Sequence, residues 1–138
     1  MESIMAKITD VEGIGPKFAE KLAAAGVNST DDLAEKGRTP GGRKALAEDT
    51  GISGKNILTW VNMVDLMRVK GVGAEFAELL QASGVDTVKE LRRRNAANLA
   101  AKMAEVNEEK KLTRAVPSEK VVTKWVEAAG EMEPGVEY

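Results

Sequence analysis

The chain has no cysteine and no histidine among its 138 residues. The first absence excludes disulfides, thiol catalysis and cysteine-ligated metals. The second removes the commonest general base and metal ligand. Aromatic side chains are scarce, with two Trp, two Phe and one Tyr, too few for the stacking platform used by single-strand binders. No apolar run approaches the roughly 20 residues of a membrane span, and no secretory signal pattern opens the sequence. A cytoplasmic protein without a membrane partner is therefore expected. Surplus charge is missing too: the net charge is −2 and the pI is near 5.4. Dedicated nucleic-acid binders carry a basic surplus, because phosphate neutralisation supplies most of their non-specific affinity. A near-neutral chain is at most a weak binder, and that only where its charges are segregated.

What the sequence does contain is one short stretch written twice. Val11-Glu-Gly-Ile-Gly-Pro-Lys-Phe-Ala-Glu-Lys-Leu22 returns as Val69-Lys-Gly-Val-Gly-Ala-Glu-Phe-Ala-Glu-Leu-Leu80. With a shift of 58 residues, 11 of the 23 positions from Val11 to Leu33 are identical. Each copy holds an apolar residue between two glycines, which permit positive φ and a sharp reversal. A short helix should follow, with Pro16 in its first turn and Gly26 or Gly84 at its end. Ser29-Thr-Asp-Asp32 and Thr87-Val-Lys-Glu90 then read as helix starts, a hydroxyl with an acid three residues on.

Ile8 to Val11 suits the close of a first helix, and residues 1–7 carry no clear signal. Lys36 to Gly42 reads as a turn punctuated by Pro40-Gly41-Gly42, before a helix from Arg43 to Thr50 that stops at Gly51. Ser53 caps a longer helix with Ile57, Trp60, Val61, Val64 and Met67 on one face. Ser53, Lys55 and Trp60-Val61 echo Ser118, Lys120 and Trp125-Val126 at a shift of 65, so the second copy has gained about seven residues around Glu108 to Pro117. No segment alternates with a strand's period of two, so the fold class is all-α. Phe18, Phe76, Trp60 and Trp125 sit at helical spacing and read as core. Each half, at about 65 residues, would bury only about 60% of its surface alone, so the halves should share a core as supersecondary repeats do.

Helix, Gly-apolar-Gly turn, helix: the paired stretch resembles a helix-hairpin-helix motif, present twice. Over roughly residues 8–128 the chain is similar to the N-terminal domain of the RadA recombinases. It is closer still to a bacterial family of uncharacterised tandem helix-hairpin-helix proteins. The resemblance implies two tandem units packed as one compact, SAM-domain-like helical bundle. The first would span 1–64 and the second 65–130, followed by an acidic tail at 131–138. It also implies that Thr50-Gly-Ile-Ser-Gly54 is a degenerate second hairpin of the first unit, matched by the glycine-free Val106–Lys111 in the second.

Amides at a tight turn leading into a helix can hold an anion, helped by the helix dipole. Such contacts grip the sugar-phosphate backbone without reading bases. The expected nucleic-acid site is Gly13, Ile14, Gly15, Lys17 and Lys21 in the first copy and Lys70, Gly71, Val72 and Gly73 in the second, with the basic run Arg92, Arg93 and Arg94. Glu75 stands where Lys17 stands in the other copy, which makes the first turn the better phosphate contact. Between Lys89 and Lys124 there are ten Lys/Arg against five Asp/Glu, while the end of the chain is acidic. These are also what the solvated faces of surface helices look like.

Enzyme readings fare worse. Gly13-x-Gly15 lacks the third glycine and the preceding strand of a dinucleotide fingerprint, and Gly54-Lys55 lacks the first glycine and the hydroxyl of a P-loop. Lys17 matches the Schiff-base lysine of the similar DNA glycosylase/lyases, but the two-lobed body and catalytic Asp of those enzymes have no room here. No catalytic residue, metal or cofactor is expected. The expected function is weak, sequence-independent DNA binding. The alternative is a protein–protein adaptor that uses the same scaffold without nucleic acid.

Overall fold

Most helices in this chain begin on a side chain that fits the task. The computed structural model describes residues 7–138, and in it Ser29, Thr39, Ser53, Asn95 and Ser118 each accept a hydrogen bond from the amide three residues on. Such caps satisfy one of the orphan donors at a helix start and contribute about 1 kcal/mol each. They open α2 (Thr30–Lys36), α3 (Pro40–Thr50), α4 (Gly54–Leu66), α7 (Ala96–Lys110) and α8 (Glu119–Gly130). The remaining helices are α1 (Pro16–Ala24), α5 (Ala74–Ala82) and the single turn α6 (Val88–Leu91). The fold is all-helical. Among the described residues the sole extended pairing is an isolated bridge between Lys7 and Ser29.

Helix α4 is the centre of the molecule. Ile57, Trp60, Val61, Met63, Val64 and Leu66 are all buried along it, and it packs on α2, α3 and α5. The boundary expected at 64/65 falls inside α4, so both halves draw on it. Helix α8 closes the second half against α6 and α7. One continuous apolar cluster runs from Ile8 to Ala129 and takes in both halves. Its fully buried Leu22, Leu33, Leu66, Leu80 and Leu99 each contribute about 1.5–3 kcal/mol of transfer free energy.

The 58-residue repeat is obeyed by the backbone. Gly13 and Gly71 have φ of 95° and 92°, and Gly26 and Gly84 have 87° and 94°. Val27 donates to the Leu22 carbonyl at 2.8 Å, and Val85 to Leu80 at 2.9 Å. Lys36 Nζ donates to the Ala25 carbonyl at the end of α1, and Arg94, 58 positions later, donates to the Ser83 carbonyl at the end of α5. Cations belong at a helix C-terminus.

The structure departs from the sequence reading in four places. Ile8–Asp10 is a single 3-10 turn; the start of the helix expected to close there falls on residues 1–6, outside the described residues. Pro40-Gly41-Gly42 is not a loop but the first turn of α3, with Thr39 as cap and Pro40 at the first helical position. Gly42 is required because a Cβ there would collide with the Lys36 carbonyl oxygen. Val106–Lys110, expected to mirror Thr50–Gly54, is instead the last turn of a longer α7 of 15 residues, against 11 in α3. Asn107 then holds the following loop through the Thr113 amide and carbonyl. At Thr87 the hydroxyl turns to the Glu90 carboxylate, and Asp65 from α4 accepts from the Val88 amide instead.

Residues 131–138 do not trail into solvent. They cross back over the first half, where Arg38, Arg43 and Asn62 meet them.

Candidate functional site

In each Gly-apolar-Gly turn the central residue faces inwards. Ile14 and Val72 are 3% and 4% exposed, and their amides donate to the Val11 and Val69 carbonyls at 3.1 and 3.0 Å. Neither can offer an amide to a ligand; they anchor the bend. The first glycine of each turn lies on a tryptophan. A Cβ at Gly13 would be 3.0 Å from Trp60 Nε1, and one at Gly71 would be 3.2 Å from Trp125 Nε1. Phe18 and Phe76 close over the same rings, with centroids 5.1 and 5.3 Å apart. Each turn is thus set on a Phe–Trp pair from its own half.

The second glycine is different. Gly15 and Gly73 are exposed, in ordinary extended backbone (φ −88° and −91°), and have no side-chain cap. A Cβ at either would point into open space. The amides of Gly15, Lys17 and Phe18 have no acceptor inside α1, because the first donors of a helix never do. Gly73, Glu75 and Phe76 repeat this at α5, where Ala74 adds an amide that Pro16 lacks. Of the helices longer than two turns, α1 and α5 are the ones that begin without a capping side chain.

The charges around the two turns differ. Lys17 and Lys21 are exposed on α1, the Lys21 ammonium 5.9 Å from the Phe18 ring centre. Lys70 is exposed before the second turn. Glu12, beside the first turn, and Glu75, in the first turn of α5, both act on Glu78. That carboxyl is pushed above its ordinary value of 4.5, by burial first and then by these two carboxylates, with Lys110 opposing. Carboxylates from both turns thus bear on Glu78, Glu12 from the first and Glu75 from the second. Among the described residues no group of His, Cys, Asp or Glu is placed to hold a metal ion.

A carboxyl whose pKa is raised by folding destabilises the native state when ionised. The penalty is absent below the unfolded value near 4.5 and complete once pH exceeds the folded value. Glu78→Gln is expected to raise Tm modestly at pH 7 and to leave it unchanged near pH 4. Thermal melts at the two pH values check this, and an equal shift at both would contradict it.

Arg92–Arg94 does not join the turns. Arg94 is half-buried and bonded to Ser83, at the far end of α5 from Gly73. A helix of this length spans about 13 Å. Arg93 is exposed and lines a groove beside Tyr138. Sequence reasoning missed Arg43 and Asp65, both buried. The repeat itself held a clue to Arg94, since its counterpart Lys36 stands at the end of a short helix.

No helix among the described residues is long and apolar enough to cross a membrane. A family model described as a domain of unknown function (DUF4332) matches residues 12–132, and the chain belongs to that family. No curated protein and no solved structure matches it.

Proposed function

We propose that this DUF4332 chain is a tandem helix-hairpin-helix protein, of the kind found at the N-terminus of RadA recombinases, that binds DNA weakly and without sequence preference. One observation carries the reading: α1 starts uncapped at an open, exposed Gly15, with Lys17 and Lys21 exposed beside it. Amides and dipole there favour a phosphate, and the two ammonium groups add Coulombic attraction. The second turn has the same backbone but carries Glu75 where the first carries Lys17, so it contributes little. With about two to four phosphates contacted, the log–log salt slope should be about −2 to −4.

Gly15→Val separates binding from folding. Its backbone suits any residue, and its side chain would meet nothing in the protein while blocking the approach of a phosphate. Titration of a labelled short duplex near 0.05 M salt (roughly the low end of the usual range) should show binding. Gly15→Val and Lys17→Glu should each weaken it by about tenfold or more, the scale of a lost charge-assisted contact, and Gly73→Val should change it less. Equal losses at Gly15 and Gly73 would overturn the assignment to the first turn.

The carboxylates Glu12, Glu75 and Glu78 gathered by the turns and the internal use of Arg94 favour a second reading, a protein–protein adaptor. Absence of duplex binding even at low salt would select it.

A further inference from the structure

The last six residues are held by contacts that read an extended peptide. Arg68 donates to the Glu133 carbonyl at 2.9 Å and Arg38 to that of Pro134 at 3.4 Å. The Glu137 amide donates to the Arg38 carbonyl at 2.8 Å, and Arg43 Nη2 donates to the Glu137 carbonyl at 2.7 Å. The Glu137 carboxylate pairs with Arg38 at 3.1 Å. The Tyr138 hydroxyl donates to Asn62 Oδ1 at 3.1 Å, with Arg43 6.0 Å from the ring centre. Gly135 lies so close to the Asp65–Arg68 pair that a Cβ would collide with both.

The receiving side is built independently of this segment. Arg43 is 8% exposed, and its other terminal nitrogen is fixed by the Gly37 and Arg38 carbonyls at 2.9 and 3.0 Å. Arg68 is fixed by Asp65 at 2.6 Å. The resident segment also leaves room. A groove of about 530 Å³ remains between it and α6, with Lys89 and Arg93 on the α6 side and Val136 and Tyr138 on the other. The unfilled part of the trough thus carries two more cations than the resident engages, beside the Glu90 carboxylate, which accepts from the Thr87 hydroxyl.

We propose that the trough bounded by α3, the end of α4 and α6 is a docking site for an extended acidic protein segment resembling Glu-Pro-Gly-Val-Glu-Tyr, occupied in cis by residues 133–138. Main-chain bonds in both directions select a peptide, the Arg38 guanidinium selects an acidic side chain, and Asn62 with Arg43 selects an aromatic hydroxyl. Tethering gives the resident an effective concentration on the order of millimolar, so a partner gains access when the strap is unseated. The inference does not depend on whether the Gly13–Lys17 turn binds DNA.

A fluorescein-labelled peptide of residues 131–138 tests this by anisotropy against the full chain. Gly135→Val should unseat the strap, and this variant should bind the peptide at least about tenfold more tightly than the parent, in which the tethered copy competes. Binding should weaken as salt rises. Glu137→Arg is the companion, since Arg38 and Glu137 side chains are 44% and 57% exposed and the core is untouched; adding Arg38→Glu should close the strap again and abolish peptide binding. Amide exchange at Glu137 reports whether the strap has opened. The proposal is overturned by an opened strap with no gain in peptide binding. It is also overturned by a strap that stays closed in both folded variants, which would make it a fixed part of the fold.

Discussion

Replacing Asp65 with alanine should lower the free energy of unfolding by about 3–5 kcal/mol, the range for removing one partner of a buried ion pair. The Asp65 and Arg68 side chains are 3% and 9% exposed and meet at 2.6 Å. The other carboxylate oxygen accepts from the Val88 amide at 2.9 Å, which makes Asp65 the cap of α6. Alanine would leave a guanidinium uncompensated and an amide unsatisfied at one stroke. A single-turn helix cannot hold itself without such support, and α6 is what α8 packs against. Asp65→Asn, which keeps an acceptor for Val88 but loses the charge, should cost less than alanine. Urea unfolding at pH 7 measures both; a cost below about 1 kcal/mol for alanine, the level of an exposed pair, would show that the pair is solvated.

That corner was invisible in the sequence, and the reason is distance along the chain. Asp65 lies in a run of apolar residues, and its partner on α6 is 23 positions away. The equivalent position in the first copy is Lys7, which joins Ser29 by a backbone bridge instead, so even the repeat gives no warning. The strap is hidden for the same reason, since its contacts with Arg38 and Arg43 span 96 and 94 positions. The features that were legible are local. Gly13 and Gly71, the stops at Gly26 and Gly84, and the caps at Ser29, Ser53 and Ser118 each depend on neighbours within a few residues. Pro40-Gly41-Gly42 shows where local reasoning fails: proline and glycine look alike in a loop and in a first helical turn, and the Lys36 carbonyl decides between them. At the candidate site, the sequence located both bends. It did not reveal that Ile14 and Val72 are anchors, or that Glu12 reaches the neighbourhood of Glu78.

Trp60→Ala is expected to cost about 3–5 kcal/mol, as large aromatic truncations in cores do, and to loosen one turn in particular. Trp60 is 4% exposed, and it carries both the Gly13 backbone and the Phe18 ring. Trp125, 3% exposed, does the same for Gly71 and Phe76, so Trp125→Ala should have a similar global cost because the apolar cluster is shared. The two variants should part in local stability. Native-state amide exchange reports opening segment by segment. Trp60→Ala should speed exchange at Ile14 and Ala19, whose amides close the first bend, and Trp125→Ala should do so at Val72 and Ala77. If DNA binding resides in the first turn, Trp60→Ala should impair it below the unfolding transition and Trp125→Ala should leave it near the parent level. Exchange that quickens equally at both bends in both variants would mean that the turns open only with the whole core, and the two halves would then be one cooperative unit.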